Sequence, residues 1–84
     1  MNHQSLISHT ILQMATERGA DKTICPSEVA RALFPANWRE HMDEVRQSAV
    51  ELQRARQVSI TQKGEPVDTE NIKGPIRIKI VTTS

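Results

Sequence analysis

Apolar positions along the chain follow two periods: helical spacing up to residue 56, then strict alternation between residues 58 and 81. Ile7, Ile11, Met14 and Ala15 fall at i, i+4, i+7 and i+8, one buried stripe of a helix over about 6–18. Ser5 reads as its N-cap, and Gly19 as the residue that ends it in a left-handed conformation. Lys22-Thr23-Ile24 is a short extended stretch. Pro26 suits a first helical position, and Glu28 sits where the helix dipole favours an anion, so a brief helix is expected over 26–34 before Pro35 stops it. Trp38, Met42, Val45, Ala49 and Leu52 are spaced 4, 3, 4 and 3, which predicts one continuous helix over about 37–56 with Asn37 as its N-cap.

The remainder reads as strands over about 58–62 and 76–81. Val58-Ser59-Ile60-Thr61 alternates, and Ile76-Arg77-Ile78-Lys79-Ile80 puts three isoleucines on one side and two cations on the other. Lys63-Gly64-Glu65-Pro66 and Gly74-Pro75 are turn signals, giving a connecting loop over 62–75 that Val67 and Ile72 pin to the body. The alternative is a tight turn at Lys63-Gly64 followed by an extra short strand over Glu65–Asp68.

Three helices followed by a hairpin is the order of a winged helix-turn-helix. The expected fold is therefore α+β, a three-helix core with a C-terminal β-hairpin wing, as a single domain over residues 1–84. In that arrangement the third helix is the recognition helix and residues 62–75 form the wing.

Composition narrows the function. At 84 residues the chain holds one core, with an expected stability of roughly 4–13 kcal/mol and little to spare for a deep catalytic cleft. Phe34 and Trp38 are its only aromatics, too few for a surface that stacks bases. Eleven basic against ten acidic residues leave a net charge of +1, a weak overall pull on polyanions. No apolar run approaches the roughly 20 residues of a membrane helix, no secretory signal opens the chain, and the single cysteine fits a reducing cytoplasm. His3, His9 and His41 lack metal-ligand spacing, and neither a phosphate loop nor a nucleophile–base pair stands out, so no cofactor and no enzyme is expected.

Four motifs carry a resemblance: Cys25-Pro26-Ser27-Glu28-Val29-Ala30-Arg31; Trp38-Arg39 with Met42 and Val45-Arg46; Gln62-Lys63-Gly64 with Val67-Asp68; and Gly74-Pro75-Ile76-Arg77. In this order, over about residues 11–80, the chain resembles a family of small, mostly bacterial domains of unknown function assigned a winged-helix fold. The resemblance implies the fold and supplies no catalytic or binding residues.

The charges give the candidate site. Around a continuous third helix the outward pole holds Asp43, Gln47, Arg54, Glu40, Glu51 and Glu44, a poor face to push at a polyanion. Arg39 and Arg46 lie on a flank with Gln53, which leaves a tilted docking that uses that flank. Lys63, Lys73, Arg77 and Lys79 make the wing and last strand a second basic surface, blunted by Glu65, Asp68 and Glu70, though Arg77 and Lys79 also serve to protect an edge strand. The candidate nucleic-acid-binding residues are thus Arg39, Arg46, Lys63, Lys73, Arg77 and Lys79. Cys25 opens the second helix, where the dipole favours a thiolate, but the chain has no second cysteine to resolve a redox switch. Glu28 is expected to pair with Arg31 or to reach back to residue 25, a structural rather than functional role. Trp38 and Phe34 are expected in the core. The leading expectation is a nucleic-acid-binding or transcription-regulatory module that takes double-stranded DNA. The alternatives are a winged-helix-shaped module that binds a protein partner at the acidic pole, and a homodimer through the hairpin edge or the first helix.

Overall fold

The computed structural model describes residues 3–66 and 74–81. Its elements are α1 (His3–Arg18), α2 (Pro26–Leu33), a 3-10 turn (Trp38–His41), α3 (Met42–Arg54), β1 (Val58–Gln62), β2 (Glu65–Pro66) and β3 (Arg77–Ile80). The architecture is α+β in the order of a winged helix.

Helix α1 buries Ile7, Ile11 and Ala15 completely and packs on α3 and β3. It begins earlier than Ser5, which lies inside it, and so Ser5 is not its cap. The added turn is held from outside: the Gln4 amide donates to the Glu51 carboxylate on α3. Gly19, at φ +109°, ends the helix and donates its N–H to Ala15. Helix α2 is capped by Cys25, whose N–H donates to Glu28 Oε2 at 2.6 Å while the Glu28 N–H donates to the Cys25 carbonyl.

The expected continuous third helix is broken. Residues Trp38–His41 form a 3-10 turn, and α3 proper starts only at Met42. The cause is local: Asn37 and Glu40 close i→i+3 backbone bonds, the Phe34 ring stacks on His41 at 3.7 Å, and the Asn37 amide donates to Glu40. Each 3-10 residue turns about 120° rather than 100°, so four of them rotate Trp38 by about 80° from its place on a continuous α-helix. Trp38 and Phe34 are half-buried against the core rather than inside it. Val45, Ser48, Ala49 and Leu52 form the buried face of α3. Its C-terminus closes with Gln57 N–H on Leu52 O and Arg56 N–H on Gln53 O, around an Arg56 at φ +63°.

The sheet has the order β2-β1-β3 and is antiparallel throughout. Ile60 pairs with Ile78, and Ile78 bridges on its other edge to Ile24, so three fully buried isoleucines cross the sheet in one row. Lys63 (φ +54°) and Gly64 (φ +83°) make a two-residue turn closed by the Gln62–Glu65 pair. The tight-turn alternative therefore describes the start of the wing, and β2 is described over Glu65–Pro66. Lys73 lies outside the described residues, as do Val67, Asp68, Glu70 and Ile72. No described helix is long and apolar enough to cross a membrane.

Candidate nucleic-acid interface

Helix α3 carries different charges on its two flanks. Residues seven apart nearly superimpose on an α-helix, so Arg46 and Gln53 share one flank and Glu44 and Glu51 share the other. The Gln53 flank faces the sheet, because its side-chain carbonyl accepts the Ile60 N–H of β1 at 2.5 Å. That N–H points away from β3, and Gln53 satisfies it. The acidic flank faces the start of α1, where Gln4 holds Glu51, while Glu44 pairs with His41 at 3.0 Å. Exposed Asp43, Gln47 and Arg54 lie between the flanks. Arg46 thus stands on the flank of α3 that, at Gln53, faces the sheet.

The other expected cations occupy separate places. Lys63 is exposed at the tip of the β1–β2 turn. Arg39 is on the 3-10 turn, with its guanidinium over the Trp38 ring at 4.5 Å. Arg77 and Lys79 alternate with buried Ile76 and Ile78, so they point to the face of the sheet opposite the buried isoleucines. Arg77 is engaged there: its Nε donates to Thr23 Oγ1 at 2.9 Å and its Nη1 to Cys25 Sγ at 2.6 Å. The five candidates among the described residues therefore do not make one surface. Arg39 and Arg46 belong to the helical side, Lys63 to the turn, and Arg77 and Lys79 to the opposite face of the sheet.

One cation escaped the sequence reading. Of the two partners expected for Glu28, the backbone of residue 25 is taken and Arg31, in the last turn of α2, is not. Instead Arg18, ten residues before Glu28, takes that carboxylate and also donates to the Thr23 carbonyl at 3.0 Å. Burial works to raise the Glu28 pKa, but the Cys25 N–H, the Arg18 guanidinium and the charge of Arg77 outweigh it and hold the carboxyl below its ordinary value. Released from Glu28, Arg31 lies over Trp38 at 4.4 Å. No local spacing announces this contact, since Pro35 and the 3-10 turn interrupt the helical period between residues 31 and 38.

Cys25 is half-buried, and its sulfur accepts from Arg77. Among the described residues no group of three or more histidine, cysteine, aspartate or glutamate side chains is arranged to hold a metal ion.

Comparison with known proteins gives the family. The chain belongs to the protein family of unknown function DUF3253, whose model matches residues 4–81. No curated protein matches it.

Proposed function

We propose that this member of the DUF3253 family is a nucleic-acid-binding module of transcription-regulatory type. It holds duplex DNA by its phosphates, with the sheet-side flank of α3 and the wing turn. The observation that carries the reading is the division of charge across α3. Glu51 and Glu44 are occupied on the flank toward α1, whereas Arg46 shares the flank on which Gln53 meets the sheet. A docking tilted toward the wing presents Arg46, Arg39 and Lys63 to phosphates and keeps Asp43 and Glu51 out of the groove. The reading is of a binding module in a reducing cytoplasm rather than an enzyme.

Titration of a fluorescent duplex, followed by anisotropy between about 50 and 200 mM salt, tests it. Binding weakens with log-log slope of about 0.9 per phosphate contact. Arg46→Gln and Lys63→Gln each flatten the slope by about one contact, and Lys79→Gln on the outer sheet face leaves it unchanged. Absence of binding at about 50 mM, where the phosphate term is strong, refutes the reading. The second reading, a protein partner, is favoured by the exposed carboxylates Asp43 and Glu51. It predicts a basic partner that is released by Asp43→Lys, and no duplex binding.

A further inference from the structure

Arg31 and Arg39 come from different elements, the end of α2 and the 3-10 turn, and both place their guanidinium carbons over the Trp38 ring, at 4.4 and 4.5 Å. Like charges brought to one ring repel each other. The electron-rich face of the indole offsets that repulsion and fixes two otherwise flexible side chains. Neither arginine has an ion-pair partner among the described residues. Their nearest acidic neighbours in sequence are engaged elsewhere: Glu28, three residues before Arg31, by Arg18 and the Cys25 N–H, and Glu40, beside Arg39, by the Asn37 amide at 3.3 Å. Both arginines are exposed, and Trp38 is half-buried against the core. The result is a pair of uncompensated cations, held on a rigid base and open to solvent. A guanidinium stacked by its face keeps its N–H edge free, and those edges match the oxygens of a phosphate.

We infer that Arg31 and Arg39, laid over Trp38, form a phosphate-binding site at the elbow between α2 and α3, and that its occupant is a backbone phosphate of nucleic acid. The inference rests on the nucleic-acid reading above and adds a site to it. The elbow precedes α3, so a phosphate gripped there lies beside the strand that Arg46 approaches. Trp38 serves as a platform for the cations rather than as a base-stacking face, in keeping with a chain of only two aromatic residues.

Trp38 is the only tryptophan, so its emission reports this site alone. The full chain is titrated in about 50 mM salt, a regime where phosphate contacts are strong, with a labelled duplex, with inorganic pyrophosphate and with poly-glutamate. Anisotropy and Trp38 emission are recorded together. The expected result is a Trp38 change with duplex and with pyrophosphate, and none with poly-glutamate. Arg31→Gln and Arg39→Gln each remove about one contact, so between about 50 and 200 mM salt each variant loses about 3.5-fold less affinity than the parent chain. Both side chains are exposed, and unchanged thermal melting establishes that the variants are folded. Duplex binding by anisotropy with silent Trp38 emission and unaltered slopes in both variants overturns the elbow site and leaves the module reading standing. If no duplex binds, the module reading falls and pyrophosphate decides the site: a Trp38 response that both variants abolish retains a phosphate site, and no response overturns it. A response to poly-glutamate equal to that for duplex overturns phosphate as the ligand.

Discussion

Arg56 occupies the position after the α3 C-cap where glycine is favoured, at φ +63°. A side chain in that conformation costs about 1–2 kcal/mol through contact of its Cβ with the following backbone. Arg56→Gly removes this cost. It also increases the freedom of the unfolded chain, which offsets about 0.5–1 kcal/mol. Loss of a cation beside the helix C-terminus offsets about 0.3 kcal/mol more. The net gain is therefore about 0.5 kcal/mol, or about 2–4 °C in melting temperature for a domain of this size. Arg56→Ala is the sharper reference, because it keeps the strain and loses the same charge. The glycine variant should exceed the alanine variant by about 0.8 kcal/mol, about 3–6 °C. Circular dichroism melts of the three proteins at equal concentration provide the comparison. A glycine variant that melts below the alanine variant refutes the assignment of strain to this position, and with it the described closure of α3 onto Leu52 and Gln53.

Three other outcomes follow from the packing and the polar cluster at α2. Glu28→Gln removes the charge that serves Cys25 N–H and Arg18; with both partners of the ion pair partly exposed, the loss at neutral pH is about 1 kcal/mol by thermal melting. Because the folded pKa of Glu28 is lowered, its contribution is complete above the ordinary carboxylate range and disappears as pH falls through the lowered value. The gap between parent and variant should therefore close in acid, and a gap that persists there contradicts the ionic origin. Ile78→Ala empties the centre of the Ile24–Ile78–Ile60 row and costs about 2–5 kcal/mol in urea unfolding, much of the total; a loss under about 1 kcal/mol would place the core elsewhere. Gly64→Ala costs about 1 kcal/mol although nothing lies within 4 Å of the added carbon, since the penalty is the +83° backbone angle; an unchanged melt contradicts the two-residue turn.

The parts of the fold that were readable in the residues are those set by a period. The isoleucine alternation of β3, the α1 stripe and Pro26 at the head of α2 each depend on neighbours within a few positions, and each stands where the pattern predicts. What was not readable depends on distant partners or on small differences between local geometries. The start of α1 is extended by Glu51, far along the chain. The change from α to 3-10 geometry at Trp38–His41 preserves an apolar spacing of three to four and so leaves no mark on it. The Lys63-Gly64 turn is legible only as the alternative to a longer loop, because it places a lysine at positive φ, which lysine does not advertise, beside a Glu65-Pro66 pair that itself resembles a loop. The same division holds for the site. Helical spacing groups Arg39 with Arg46 and Gln53; Arg46 and Gln53 share a flank because Met42–Arg54 is α-helical, whereas Arg39 lies on the 3-10 turn and leaves that register. Of the two partners that spacing offers Glu28, the Cys25 backbone holds and Arg31 does not, because Arg18 reaches Glu28 across the α1–α2 turn; Arg31 lies over Trp38 instead.

On the proposed reading, the helical side of the molecule, from the elbow through the inner flank of α3 to the wing turn, is the surface that meets nucleic acid. Amide and indole N–H chemical shifts recorded while a short duplex is added test it most directly. The predicted result is a contiguous set of shifts at Arg31, the Trp38 indole, Arg39, Arg46 and Lys63-Gly64, with Ser59, Arg77 and Lys79 on the outer face unmoved. Shifts centred on Arg77 and Lys79, or none at a duplex excess, would contradict it.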